Sequence, residues 1–274
     1  MRTVVRTIGL ALAVAVLAGA SCVAQPTPPV DSAPRLKPGS LFTVQFPDMP
    51  PTFYDVFEGK DVKAQMSVYL PTNYDPGRKY PVLIFLNGWD GGDAANPGVS
   101  RALSQGQDFV CVSVPLFKAP DFRVTAPNVA GTGFIITDPD GKAMWPCFKT
   151  MLAKLEELLP NLDSAHYVLG GFSNGAHAIA ALLDASAGEV AQRFCAFLFV
   201  EGGGKLVRYD LLKDKPMLMV SSNAKSRPRA QQIADTAKAA GAKTSFLCED
   251  VGKHDFPVSA YPAVRVWLRG PAMQ

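Results

Sequence analysis

The stretch Tyr167-Val168-Leu169-Gly170-Gly171-Phe172-Ser173-Asn174-Gly175-Ala176-His177 decides how this chain is read. A short β-branched and apolar run enters a Gly-x-Ser-x-Gly pentapeptide, Gly171 to Gly175, and a second apolar run from Ala178 to Leu183 follows at once. The pattern predicts a strand, a sharp turn and a helix, with Ser173 at the apex. Such a turn holds its serine in a strained backbone conformation that only small neighbours, here Gly171 and Gly175, accommodate. The hydroxyl then stands above the sheet, and the helix N-terminus favours negative charge developing beside it. Ser173 is the candidate nucleophile. The alternative is a tight strand-to-helix turn that carries a serine without using it.

Outward from this turn the elements recur in a regular order. Upstream, Leu41–Phe46 and Lys63–Leu70 read as opening antiparallel strands, the second alternating apolar and polar residues. Val82–Leu86 and Phe109–Val114 are continuous apolar runs, as expected of strands covered on both faces. Pro146–Leu159 has helical periodicity through Phe148, Met151, Leu152, Leu155 and Leu158. Downstream, Phe194–Val200 and Pro216–Ser221 read as buried strands and Arg229–Ala240 as an alanine-rich helix closed by Gly241. Lys243–Leu247 reads as the last strand and Val258–Leu268 as the last helix. Strands alternating with helices predict the α/β class, a mostly parallel, doubly wound sheet with helices on both faces. The glycine- and proline-bearing stretch 116–141 interrupts this order, and reads as a loop or small cap over the sheet, or else as a disordered surface insertion.

The first 24 residues read as a signal peptide. Arg2 and Arg6 form a positive start, Ile8 to Leu17 an apolar centre, and Ala18-Gly19-Ala20 supplies small residues for cleavage. The apolar run is shorter than the roughly 20 residues that span a bilayer. Gly19-Ala20-Ser21-Cys22 resembles a bacterial lipobox with glycine where leucine is more usual, so a membrane tether through Cys22 stands beside cleavage after Ala20 or Ala24. Residues 25–40 are rich in proline and read as an extended tether, leaving 41–274 as the folded domain. Export is expected, to the periplasm, the medium or a lipid anchor at the bacterial cell envelope.

Nearly half of the 274 residues are apolar, enough for a sizeable core, and the formal net charge is only +3. Basic residues are scattered, so no nucleic-acid partner is expected. Cys111, Cys147, Cys195 and Cys248 are spaced like core residues, three of them in strands, and no Cys-x-x-Cys pair or His/Cys cluster marks a metal site.

A serine needs a base to remove its proton, and there are three histidines. His254, in Val251-Gly252-Lys253-His254-Asp255-Phe256-Pro257, follows the last strand, where loops emerge at the carboxyl edge of a doubly wound sheet. It is the candidate base. His177, one turn into the helix, reads as a packed residue or one standing behind the site, and His166 as a solvated flank. An oxyanion would be met by backbone N–H groups. Asn174 offers one, and the turn Asn87-Gly88-Trp89-Asp90-Gly91-Gly92 another, from Gly88 or Trp89. Trp89 could also line a substrate pocket.

With these residues the chain resembles the α/β-hydrolase superfamily over about 63–268, and within it the secreted esterases grouped with polyhydroxybutyrate depolymerases, feruloyl esterases and esterase D. The resemblance implies acyl transfer from an ester to water. Ser173 would attack, His254 shuttle the proton, and Asn174 with Gly88 or Trp89 hold the oxyanion. It implies no cofactor and no metal, only a small-molecule or polymer-linked ester as substrate. One part departs. The superfamily usually carries an acid just after the seventh strand, where this chain reads Ser221-Ser222-Asn223-Ala224-Lys225-Ser226-Arg227. Asn223 could orient a histidine but supplies no charge. Some members place the acid after the sixth strand, where this chain has Glu201 followed by Gly202-Gly203-Gly204. Glu201 is the candidate third member, with Asp250 and Asp255 as alternatives. A serine peptidase of the same fold and a non-catalytic binding protein are the competing readings, the missing acid being the main support of the second.

Overall fold

A computed structural model describes residues 36–45, 65–88, 97–114, 136, 138–204 and 208–274. The proposed signal peptide, residues 25–35 of the tether, Trp89 and most of 116–141 lie outside the described residues. Eight strands form one sheet: β1 (Leu41–Gln45), β2 (Gln65–Tyr69), β3 (Tyr80–Leu86), β4 (Val110–Ser113), β5 (Leu162–Phe172), β6 (Ala196–Val200), β7 (Pro216–Ser221) and β8 (Lys243–Cys248). Their order across the sheet is β1-β2-β4-β3-β5-β6-β7-β8. β2 runs antiparallel to both β1 and β4, and every other pairing is parallel.

The helices are α1 (Gly98–Ser104), α2 (Asp138–Leu158), α3 (Asn174–Ala185), α4 (Glu189–Arg193), α5 (Arg227–Ala239) and α6 (Tyr261–Arg269). Because side chains alternate along a strand, the apolar run of each central strand feeds two cores. Phe197, Phe199, Met217 and Met219 face one side with Phe148, Ile179 and Ile233 of α2, α3 and α5. Leu198, Val200, Leu218 and Val220 face the other with Leu103, Val264 and Trp267 of α1 and α6. This is the doubly wound α/β architecture the alternation predicts. No helix among the described residues is long and apolar enough to cross a membrane.

Several boundaries differ from the sequence reading. The helix expected from Pro146 begins at Asp138 and carries Pro146 inside it. Gly141 lets α2 start earlier, since a Cβ there would meet the backbone carbonyl of Ala181 in α3. β5 starts at Leu162, five residues before the apolar run. Leu162 pairs with Tyr80 and Tyr167 with Val82, so residues 163–166 bulge out of the ladder. His166 belongs to that bulge. It is half-buried, with Nδ1 2.7 Å from Asp163 Oδ2, and is not the solvated flank expected. The helices α1 and α4 carry too few large apolar residues to show a period. All four described cysteines are unbridged; Cys111 and Cys147 are buried, whereas Cys195, just ahead of β6, and Cys248, ending β8, are half-buried.

Phe199 is fully covered in the core, directly below the loop that leaves β6, where Gly203 packs on its ring. Phe199→Ala is expected to lower unfolding free energy by about 3–5 kcal/mol in urea titrations. A loss of under about 1 kcal/mol would contradict this packing.

Candidate active site

Ser173 lies between β5 and α3 with φ 54° and ψ −114°, a conformation that side chains rarely adopt. The surrounding glycines explain how it is tolerated. A Cβ at Gly175 would run into the carbonyl oxygens of Leu86 and Asn87 at the end of β3, and one at Gly171 into the backbone of Gly175. A Cβ at Gly202, beyond β6, would meet the Ser173 carbonyl. The turn is therefore clamped between the ends of β3 and β6, and its first helical hydrogen bond runs from His177 N–H to the Ser173 carbonyl at 3.1 Å.

His254, in the loop between β8 and α6, brings Nε2 to 2.7 Å from Ser173 Oγ and Nδ1 to 3.0 Å from Glu201 Oε2. Its ring is tilted over that of Phe172 at 5.2 Å between centroids. Three residues from distant parts of the chain thus form one continuous relay. Neither alternative acid takes the place of Glu201. Asp255 pairs with Lys253 at 2.8 Å, and Asp250 accepts the N–H of Gly252 at 2.9 Å.

The Glu201 side chain has no exposure to solvent, and its backbone φ is 52°. Oε1 accepts the N–H of Ser222 and the Ser226 hydroxyl, the latter at 2.7 Å. Oε2 accepts Asn223 Nδ2 at 3.1 Å in addition to His254. Burial drives its pKa upward, but the donors from His254, Ser222, Ser226 and Ser221 outweigh burial and hold it at about 2. An ionised carboxylate only accepts hydrogen bonds. His254 Nδ1 must then carry the proton, which leaves Nε2 free to accept the Ser173 hydroxyl.

Gly88 lies against the turn, and a Cβ there would sit 3.2 Å from Ser173 Cβ and clash with the Phe172 ring. Its neighbour Trp89 lies outside the described residues. Asn174 opens α3, and its side-chain carbonyl accepts the N–H of Ile136 at 2.9 Å. His177 stands half-buried one turn further on and does not enter the relay. The sequence reading missed Ser222 and Ser226 altogether and gave Asn223 the wrong partner, since its amide holds Glu201 and not the histidine. Among the described residues no group of three or more His, Cys, Asp or Glu side chains is placed to hold a metal ion.

The architecture recurs in solved structures. A thermostable esterase superposes with TM-score 0.56 at 17% identity, over 85% of this chain and 62% of its own. A ferulic acid esterase from Anaeromyces mucronatus superposes with TM-score 0.52 at 13% identity, over 86% of this chain and 91% of its own. A candidate dipeptidyl aminopeptidase IV from Bacteroides ovatus matches with TM-score 0.54 at 12% identity over 85% of this chain, which spans only 36% of that protein. The protein has the α/β-hydrolase fold. No protein-family model and no curated protein matches the sequence.

In this α/β-hydrolase fold the loops after β5, β6 and β8 bring together the serine, the glutamate and the histidine. The loop after β7 supplies hydrogen-bond donors to the glutamate and no acid of its own.

The Glu201 charge also sets a pH dependence. Its folded pKa of about 2 lies below the ordinary 4.5, so its contribution to stability is present above pH 4.5 and is lost as pH falls toward 2. In urea melts across that range, the stability gap between the wild type and Glu201→Gln should shrink steadily with falling pH. A gap that stays constant would mean that Glu201 is not held as an anion.

Proposed function

We propose that this chain is an exported serine hydrolase that cleaves carboxylic esters through an acyl-enzyme intermediate. The observation that carries the reading is the relay from Ser173 Oγ through both ring nitrogens of His254 to a buried, ionised Glu201.

Each step follows from those contacts. Ser173 Oγ attacks the ester carbonyl carbon while its proton passes to His254 Nε2. The imidazolium that forms is stabilised by Glu201, which stays ionised throughout. The carbonyl oxygen becomes an oxyanion beside Gly88 and the N-terminus of α3, where backbone donors such as that of Asn174 lower the barrier. Collapse expels the alcohol, which takes the proton from Nε2. Water then repeats the sequence with His254 as base, releasing the acid and regenerating Ser173.

The binding-protein reading drew its support from the missing acid after β7, and Glu201 in contact with His254 removes that support. The esterases among the structural neighbours agree with an ester substrate. Turnover of p-nitrophenyl acetate should fall to background in Ser173→Ala. In Glu201→Gln, kcat should drop by about 10³- to 10⁴-fold while Ser173 remains open to slow fluorophosphonate labelling. Near-normal turnover in Glu201→Gln would remove the glutamate from the mechanism, and equal rates in Ser173→Ala and wild type would overturn the enzyme reading.

Export rests on the leader alone, with Arg2, Arg6 and the apolar run to Leu17. Expressed in a bacterial host, the mature chain should begin between Ser21 and Gln25, with or without lipid on Cys22, by mass spectrometry of envelope fractions. An intact Met1 start in the cytoplasm would refute it.

A further inference from the structure

Ser222 directly follows the end of β7, and it has no exposure to solvent. All of its polar groups are engaged, each in the site. Its N–H is donated to Glu201 Oε1. Its hydroxyl donates to the Lys253 carbonyl at 2.8 Å and accepts the Asp255 N–H at 3.1 Å, the residues on either side of His254. Its carbonyl accepts the Val251 N–H at 2.9 Å. One small residue thus joins the acid, through its N–H, to the backbone that carries the base, through its hydroxyl.

The join matters because the loop is otherwise anchored at its ends, by the Glu249 N–H on the Ser221 carbonyl and by buried Phe256 against Phe85 and Tyr261. Residues Glu249 to Asp255 are exposed or half-exposed, and the His254 side chain itself is 54% exposed. Beyond the relay, the ring rests on Phe172 alone among the contacts described above. The hydroxyl of Ser222 brackets His254 in the chain, so it sets where the imidazole stands between Glu201 and Ser173.

We propose that Ser222 is a positioning residue that holds His254 in register with Glu201, an inference that rests on the serine-hydrolase reading of the site. Removing the hydroxyl leaves the Ser222 N–H on Glu201 intact and releases the histidine backbone. Small displacements of a catalytic group are costly, and a shift of 1 Å can lower a rate by about 10²-fold.

The test is a double-mutant cycle of Ser222→Ala and Glu201→Gln in the full chain. Ester turnover and fluorophosphonate labelling are followed, with thermal melts to confirm folding. Ser222→Ala should lower kcat by about 10- to 100-fold with KM changed by less than about twofold. In the Glu201→Gln background the same substitution should cost less than about threefold, because the alignment it protects has already lost its charge. The downfield proton resonance of His254 Nδ1–H, sharp in the wild type, should broaden or vanish in Ser222→Ala. Should the alanine variant fail to fold, Ser222→Cys keeps the volume with a weak donor and acceptor and should show the same pattern. Wild-type kcat in the variant, an equal fold-loss in both backgrounds, or an unchanged Nδ1–H resonance would overturn the proposal. The resonance needs no turnover, so it judges Ser222 even if Ser173→Ala shows that the site is not that of an esterase.

Discussion

Glu201 closes β6 with its side chain wholly covered, and a carboxylate taken out of water would ordinarily give up its charge. It keeps that charge because the chain surrounds it with donors: a backbone N–H, a hydroxyl, a side-chain amide and the imidazole. Ser226, one of the four, stands at the N-terminal boundary of α5, so the start of that helix lies beside the anion and its dipole favours the charge. The charge in turn orients the histidine. A neutral glutamic acid could donate to Nδ1 and leave the wrong nitrogen facing the serine. The chemistry at Ser173 therefore depends on a balance settled at Glu201, on the far side of His254.

The sheet delivers these residues at one level. Phe172 pairs with Val200 and Val200 with Val220 across three parallel strands. The ladder continues one step beyond them, with Ser173 N–H on the Val200 carbonyl at 2.8 Å and Glu201 N–H on the Val220 carbonyl at 3.0 Å. Serine and glutamate thus occupy equivalent steps at the ends of neighbouring strands. Both have positive φ, which turns each chain off the sheet just where its side chain is needed. Such backbone strain persists only where the surroundings over-determine it. Here the main-chain bonds from the next strand and the glycines beside each turn do so.

Much of this was legible in the residues because the signals were local. The pentapeptide around Ser173 and its apolar flanks specify strand, turn and helix without reference to anything distant. The runs at Val82–Leu86 and Phe197–Val200 betray strands buried on both faces. His254 and Glu201 could be placed because each follows a strand end. Other features were silent. α1 has Leu103 as its one fully buried large apolar side chain, with no period to detect. The start of α2 depends on how Gly141 meets α3, a contact with no trace in sequence spacing. The donors at Ser222 and Ser226 were invisible for a related reason. Hydroxyls in a loop look like ordinary turn residues until the carboxylate they serve is placed beside them.

The missing acid after β7 acquires a physical meaning from that placement. Asn223 Nδ2 lies 3.1 Å from Glu201 Oε2, so a carboxylate at position 223 would face the glutamate at hydrogen-bonding range. A second carboxylate so close to the covered Glu201 would disfavour the charge of both and push one of them toward holding a proton. The shared proton would compete with His254 Nδ1 for Glu201 and loosen the tautomer on which the relay depends. An acid on β6 and an acid on β7 are therefore mutually exclusive in this geometry. Once Glu201 provides the charge, the neighbouring loop must be free of acids and rich in donors, and Ser221-Ser222-Asn223 and Ser226 meet that requirement.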